Sequence, residues 1–346
     1  MTVISTFRKH RVRPQESFVE LSNGDPSRDS GDSRMGTAKL HHYVPQFYLR
    51  RFADEHEKFW AWDKMRDKIF RTNPKRVGAG SNFYPLTLEK QFADLEGQVS
   101  LITDQWLHWF RHAQHGDRIR IPNVNRRIVS LYIALQFCRT ADARDIIVAI
   151  DGLPSNPDMT EEMKWGTYLL GAWLVDVLMK NRKKSNRNAI SEGRLSDRNE
   201  SEIHTRWLWN LEMVHSIAKR IERSIWIFGR NLTGFPFITS DNPVAFHEGN
   251  THRWVKVGFL ARGAYPVFPL SPEIVMYCYD SKDPKYRALR KFGDTLSPVE
   301  FNVPLVEHDN AGQVFNAGRF VISPINDFNF VREFAQTIGS DRYAPH

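Results

Sequence analysis

The sequence predicts an α+β fold: an N-terminal β-hairpin, a layer of long helices, and a small mixed or antiparallel sheet toward the C-terminus. Three observations predict it. Aromatic runs Phe59-Trp60-Ala61-Trp62 and Ile69-Phe70-Arg71 flank the polar segment 63–68 as a hairpin would. Apolar residues then recur at helical spacing over long stretches between residues 87 and 223. After Arg223 the pattern changes to short β-branched and aromatic runs separated by turn formers. Strands, then helices, then strands argue for helices packed beside a sheet rather than for alternating βαβ units.

Each element has its own local reason. His42-Tyr43-Val44-Pro45 is expected to be extended, because a residue before proline is pushed out of the α region. Gln46–Ala53 reads as a short helix with Pro45 at its first turn. Leu88, Phe92, Leu95, Val99, Ile102, Trp106 and Trp109 alternate steps of four and three, which predicts a helix over about 87–112. Further helices are expected over about 125–150, 160–179 and 202–223, and strands at 224–228, 237–239, 267–268, 274–277 and 320–322. Residues 1–37 are polar, without periodicity, and are expected to form a disordered arm. A single domain is expected over 38–335, with a mobile loop near 181–201 and a tail at 336–346.

Composition narrows the function classes. Of 346 residues, 41% are hydrophobic and 25% charged, with 23 Phe, 10 Trp and 10 Tyr, so a core forms without staples. Cys138 and Cys278, the two cysteines, cannot build a cysteine-rich zinc site or a disulfide framework. They read as small buried hydrophobes of a cytoplasmic protein. No apolar stretch follows the basic N-terminus, and the run 168–179 is too short to cross a membrane. Net charge is +8 and the pI is about 9.4. That balance favours nucleic acid or another polyanion as partner, without specifying which. Cations concentrate at Lys64, Arg66, Lys68, Arg71, Lys75 and Arg76, and again at Lys180, Arg182, Lys183, Lys184 and Arg187. Solvated faces carry such runs as well.

Leu40-His41-His42-Tyr43-Val44-Pro45-Gln46-Phe47-Tyr48-Leu49-Arg50-Arg51-Phe52 resembles the opening block of a large, mainly microbial family of unknown function, DUF4238. Gln136-Phe137-Cys138-Arg139-Thr140, Phe237-Ile238-Thr239-Ser240-Asp241-Asn242-Pro243-Val244 and Pro269-Leu270-Ser271-Pro272 continue the likeness in order, over about 40–330. The resemblance implies a domain boundary and no activity. The first block also compares with the opening motif of ββα-metal nucleases, in which a ligand and a general-base histidine precede a proline. The further Asn and His of those sites are missing, since the next histidine after His56 is His108.

The polar blocks supply the candidate site. His42 and Asp241 are the candidate catalytic groups, an acid–base imidazole and a carboxylate that binds metal or orients it. His41, Gln136, Arg139, Asn242, Asn316 and Arg319 are candidate substrate-binding residues, the arginines as phosphate holders. Each has a structural alternative. A histidine can bond backbone, Arg139 can pair with Glu96, and Asp241-Asn242-Pro243 can make an Asx-type turn. If the blocks converge, they make a pocket for a phosphate-bearing ligand such as nucleic acid, with a hydrolase among the classes it serves and a divalent cation as a candidate companion. If they hold the frame instead, the chain is a non-catalytic interaction or sensor module of a microbial defence or toxin system.

Overall fold

Strand β1 (Leu40–His42) leads through Pro45 into the short helix α1 (Gln46–Arg50). The computed structural model describes residues 40–81, 83, 86–151, 197–208, 211–249, 253–255, 259 and 263–337. These belong to one compact unit that starts at Ala38. The expected arm at 1–37, the helix expected over 160–179 and residues 181–196 of the expected loop lie outside the described residues.

The hairpin forms as β2 (Phe59–Asp63) and β3 (Lys68–Thr72), closed by the pair Asp63 and Lys68. It does not stand apart from the C-terminal strands. β12 (Phe320–Ser323) pairs antiparallel with β2, and β6 (Thr239–Ser240) pairs with β12, giving the order β3-β2-β12-β6. A sequence read in chain order separates these strands, whereas the fold makes one sheet of them. β4 (Ala79–Ser81) pairs with β1 as a two-stranded ribbon.

The second sheet has six strands in the order β11-β5-β10-β9-β7-β8. They are β5 (Ile225–Arg230), β7 (Ala245–Glu248), β8 (Arg253–Val255), β9 (Ala264–Pro269), β10 (Ile274–Tyr279) and β11 (Thr295–Leu296). All pairings are antiparallel except β11 on β5.

Helices pack against this sheet and against one another. They are α2 (Leu86–His112), α3 (Asn123–Cys138), α4 (Ala141–Asp151), α5 (Asp197–Leu208) and α6 (Leu211–Glu222). Trp106 of α2 packs edge-on against Trp226 and Phe228 of β5, while α3 sets Tyr132 against Phe268 and Phe137 against Phe246. The helix expected over 125–150 is two helices. Arg139 leaves helical geometry at φ −101 and ψ 1, and the Thr140 hydroxyl accepts from Ala143 N to start α4. The helix expected from 202 starts earlier, at Asp197, so residues 197–201 are helical and not loop.

Helix α7 (Val303–Asn316) escaped the sequence reading and proves central. Half of its buried residues are polar, namely Asp309, Asn310, Gln313 and Asn316, so no continuous apolar stripe announces it. α8 (Asn329–Thr337) follows, past the domain end expected at residue 335. Tyr48 locks the two sheets together. Its buried hydroxyl bonds Thr239 Oγ1 of β6 at 2.7 Å and the Pro269 carbonyl of β9 at 2.8 Å.

Candidate functional site

The segment 41–43 points its side chains into different surroundings. His41 is buried in β1, with Nε2 3.5 Å from Glu89 of α2. His42 is half-buried, with Nδ1 3.4 Å from Gln46 Nε2 and the carbonyls of Pro74 and Lys75 against its ring. Burial lowers its pKa, only partly opposed by those carbonyls and by Glu96 and Glu89, so the imidazole is neutral at pH 7.

Behind it lies a saturated network. Arg139 is fully buried at the end of α3. Its Nη1 donates to Glu96 Oε1 at 2.7 Å, and its Nε and Nη2 donate to Gln136 Oε1 at 3.1 and 2.9 Å. Gln136 Nε2 in turn donates to the Tyr43 carbonyl at 3.0 Å. The phosphate-holding role expected for Arg139, with Gln136 as a further substrate-binding residue, meets a guanidinium already matched to a carboxylate and an amide. Burying an arginine demands such partners.

Asp241 and Arg319 meet elsewhere, one residue along, at Tyr43. Buried Asp241 accepts from the backbone amides of Gly318 and Arg319, each at 2.8 Å, and Phe320 at 3.0 Å. Asp142, in the first turn of α4, lies against the same loop, because a Cβ on Gly318 would come within 2.6 Å of Asp142 Oδ1. Two carboxylates therefore press on one glycine. Burial, then Asp142, push the Asp241 pKa up to about 6, against the pull of its three amides. Tyr43 stands beside them. Burial first, then Asp241 and Asp142, raise its phenol far above the usual range, with Arg319 opposing. Among the described residues its hydroxyl has no protein partner, although the residue is only 7% exposed. Arg319 donates through Nε and Nη2 to Asp63 Oδ2 at 3.0 and 2.7 Å, and its side chain keeps 38% exposure.

The expected four-part pocket of His42, Arg139, Asp241 and Arg319 is thus two adjoining networks joined through Tyr43. His42 and Arg139 belong to one, and Asp241 and Arg319 to the other. Asp241 does not orient His42; its oxygens hold residues 318–320. Tyr43, Asp142 and Asp63, which these networks include, were not among the residues singled out from the sequence, although Tyr43 and Asp142 lie within three residues of His42 and Arg139. Among the described residues no group of three or more His, Cys, Asp or Glu could hold a metal ion.

Asn242 and Asn316 form a staple. Asn316 Nδ2 donates to the carbonyls of Asn242 and Val244 at 2.5 and 2.9 Å, and Asn242 Nδ2 returns to the Asn316 carbonyl at 3.2 Å. Gln313 Nε2 donates to the Pro243 carbonyl and Asn310 Nδ2 to that of Pro236, both at 3.0 Å. One face of α7 thereby fixes the strand end that carries Asp241.

Fold and geometry define a class: an α+β protein whose separated polar blocks meet at a buried carboxylate pair edged by a tyrosine and an arginine. The chain belongs to the family described as Protein of unknown function (DUF4238), whose profile matches residues 40–327. No curated protein and no solved structure matches it. Both cysteines are free and buried, and among the described residues no helix is long and apolar enough to cross a membrane.

Proposed function

We propose that this cytoplasmic protein binds and acts on a phosphate-bearing ligand where Tyr43, Asp142, Asp241 and Arg319 meet. The observation that supports it is a buried carboxylate pair, one member titrating at about 6, beside a phenol hydroxyl without a protein partner and a half-exposed guanidinium. A fold needs no such concentration of polar groups for stability, and a carboxyl perturbed by burial and a neighbouring charge is a candidate site residue. The exposed side of Arg319 suits one phosphate oxygen, and the Tyr43 hydroxyl a second. Two carboxylates repel a phosphate unless a cation stands between them. A phosphate ester that brings its own divalent ion resolves this, because Mg²⁺ commonly takes one or two protein carboxylates and completes its shell with phosphate and water. Near neutral pH the pair also offers an acid–base group, an effect of about a hundredfold or more in rate. His42 stands next to this centre as a neutral imidazole rather than in it.

The non-catalytic reading has its own support: Arg139, Asp241 and Arg319 are all matched by protein partners, as members of a frame would be. Turnover of nucleotides and oligonucleotides with Mg²⁺ or Mn²⁺ separates the two. Asp142→Asn and Tyr43→Phe should each lower turnover at least a hundredfold and tenfold, with melting temperatures within a few degrees of the parent. Absence of turnover in the parent protein, with both variants merely less stable, would establish the frame.

A further inference from the structure

We infer that the six-stranded sheet carries a second site, in which Tyr265, Tyr277, Tyr279, Tyr286 and Asp309 take an organic cation, a methylated or quaternary ammonium. This site shares no residue with the phosphate-ligand reading and does not rest on it. Side chains alternate along a strand, so the two faces of the sheet differ. Phe246 of β7 and Phe268 of β9 meet Phe137 and Tyr132 of α3 on one face. His247, next to Phe246, points the other way, where its Nε2 lies 3.0 Å from Nε2 of His308 in α7. Strand register puts Tyr265 opposite His247 and Tyr277 opposite Val267. Tyr265, Tyr277 and Tyr279 therefore share the face opposite α3. Two elements wall this face: α7 packs on β7 and β8, and a short 3-10 helix at Pro284–Phe292 packs on β5. β9 and β10 lie between β5 and β7 in the sheet, and their three tyrosines are half-buried, so part of each side chain reaches solvent. Tyr286 of the 3-10 helix borders them, its ring centroid 5.1 Å from that of Tyr279 and 5.8 Å from that of Tyr265.

Asp309 supplies the charge. It sits on the α7 wall, 9% exposed, and its Oδ2 accepts from the Tyr277 hydroxyl. Among the described residues it has no ion pair. A carboxylate withdrawn from water ordinarily has a cation or several donors around it, and here one phenol serves. The rings beside it do not close on one another as a stack. Tyr265 is inclined at 43° to Tyr279, 64° to Tyr277 and 84° to Tyr286. Aromatic rings set at angles near a carboxylate attract a weakly hydrated cation through several ring quadrupoles at once. Other ligand classes fit worse. Mg²⁺ and Ca²⁺ take several oxygen ligands, for which one carboxylate is too few. An anionic ligand meets Asp309 as a like charge. An apolar filling leaves the carboxylate without a counter-charge.

The test is isothermal titration calorimetry of the full chain with choline, tetramethylammonium and dimethylbutanol, the uncharged isostere of choline. Measurements at pH 8 keep Asp309 mostly ionised, since its carboxyl is pushed up to about 7 by burial. The parent protein should bind each cation at least tenfold more tightly than the alcohol. Asp309→Asn keeps an acceptor for Tyr277 and should weaken choline binding at least tenfold without lowering the melting temperature. Tyr279→Leu removes a ring and should weaken it about tenfold, whereas Tyr279→Phe keeps the ring and should stay within about threefold of the parent. Equal affinity for the alcohol, no choline binding at millimolar concentration, or full binding by Asp309→Asn would each overturn the inference. So would a loss in Tyr279→Phe as large as that in Tyr279→Leu, because the hydroxyl rather than the ring would then be the group that matters.

Discussion

Asp309 and Arg139 show what burial asks of a single charged side chain. Asp309 of α7 accepts from the Tyr277 hydroxyl, and burial pushes its carboxyl up to about 7, with Tyr277 pulling the other way. A carboxyl whose folded pKa is raised binds more protons when folded than unfolded between about pH 4 and 7. Ionising it therefore costs stability as pH rises through that window. Asn keeps an acceptor for Tyr277 and carries no charge. Asp309→Asn should match the parent near pH 4 and exceed it by about 4 kcal/mol at pH 8, a net shift of about three pKa units at about 1.36 kcal/mol each. Urea midpoints of the two proteins at both pH values measure this, and a gap independent of pH would refute it. Arg139 illustrates the opposite case, a buried charge that is fully matched. Arg139→Ala leaves Glu96 and Gln136 without their donors and should cost about 3 kcal/mol. Arg139→Lys should recover little, since one ammonium cannot serve Glu96 and Gln136 in the fork geometry. Recovery by lysine would show that charge alone matters there.

Helix α7 is the element on which both the frame and the candidate site depend. Asn310, Gln313 and Asn316 succeed one another at steps of three and reach the backbone of 236–244, so the helix acts as a ladder of side-chain amides along that segment. The Asn302 side chain caps its first turn by accepting from Leu305 N at 3.0 Å. Removing one rung orphans buried carbonyls and should cost about 1 to 3 kcal/mol. For Asn316→Ala, faster amide exchange should be confined to segment 239–244 and the 318–320 loop, leaving β5 and β10 protected. Uniform exchange across both sheets would show that α7 is not a local clamp. The Tyr48 hydroxyl does comparable work between sheets. Tyr48→Phe should lower stability by about 1 to 3 kcal/mol, measured by denaturant titration, because Thr239 and Pro269 lose their shared partner.

At the scale of the whole molecule, the division between what sequence and tertiary structure decide follows from the range of each interaction. The α+β class, the hairpin at 59–72, the long helix ending at His112, and strands β5 and β10 were legible, because the apolar period of an element is written in adjacent residues. The family blocks were legible as well, and they mark where the buried polar residues lie. The break at Arg139 and Thr140 was not, since apolar residues continue through it, although the pairing of Arg139 with Glu96 was legible as an alternative. Helix α7 was illegible because polar residues interrupt its inward face, satisfied by a strand end about 70 residues away along the chain. The union of the N-terminal hairpin with β12 and β6 belongs to the same class of facts, a pairing of edges that local pattern cannot encode. The sequence by itself marked the segments around His41, Gln136, Arg139 and Asp241, whose polar side chains are placed away from solvent. Only the tertiary structure decided which of them meet: it put Asp241 with Asp142, Tyr43 and Arg319, and His42 with Glu96 and Arg139. The physical reason is that the need to satisfy a buried charge is local, whereas the partner that satisfies it is supplied by whichever element packs there.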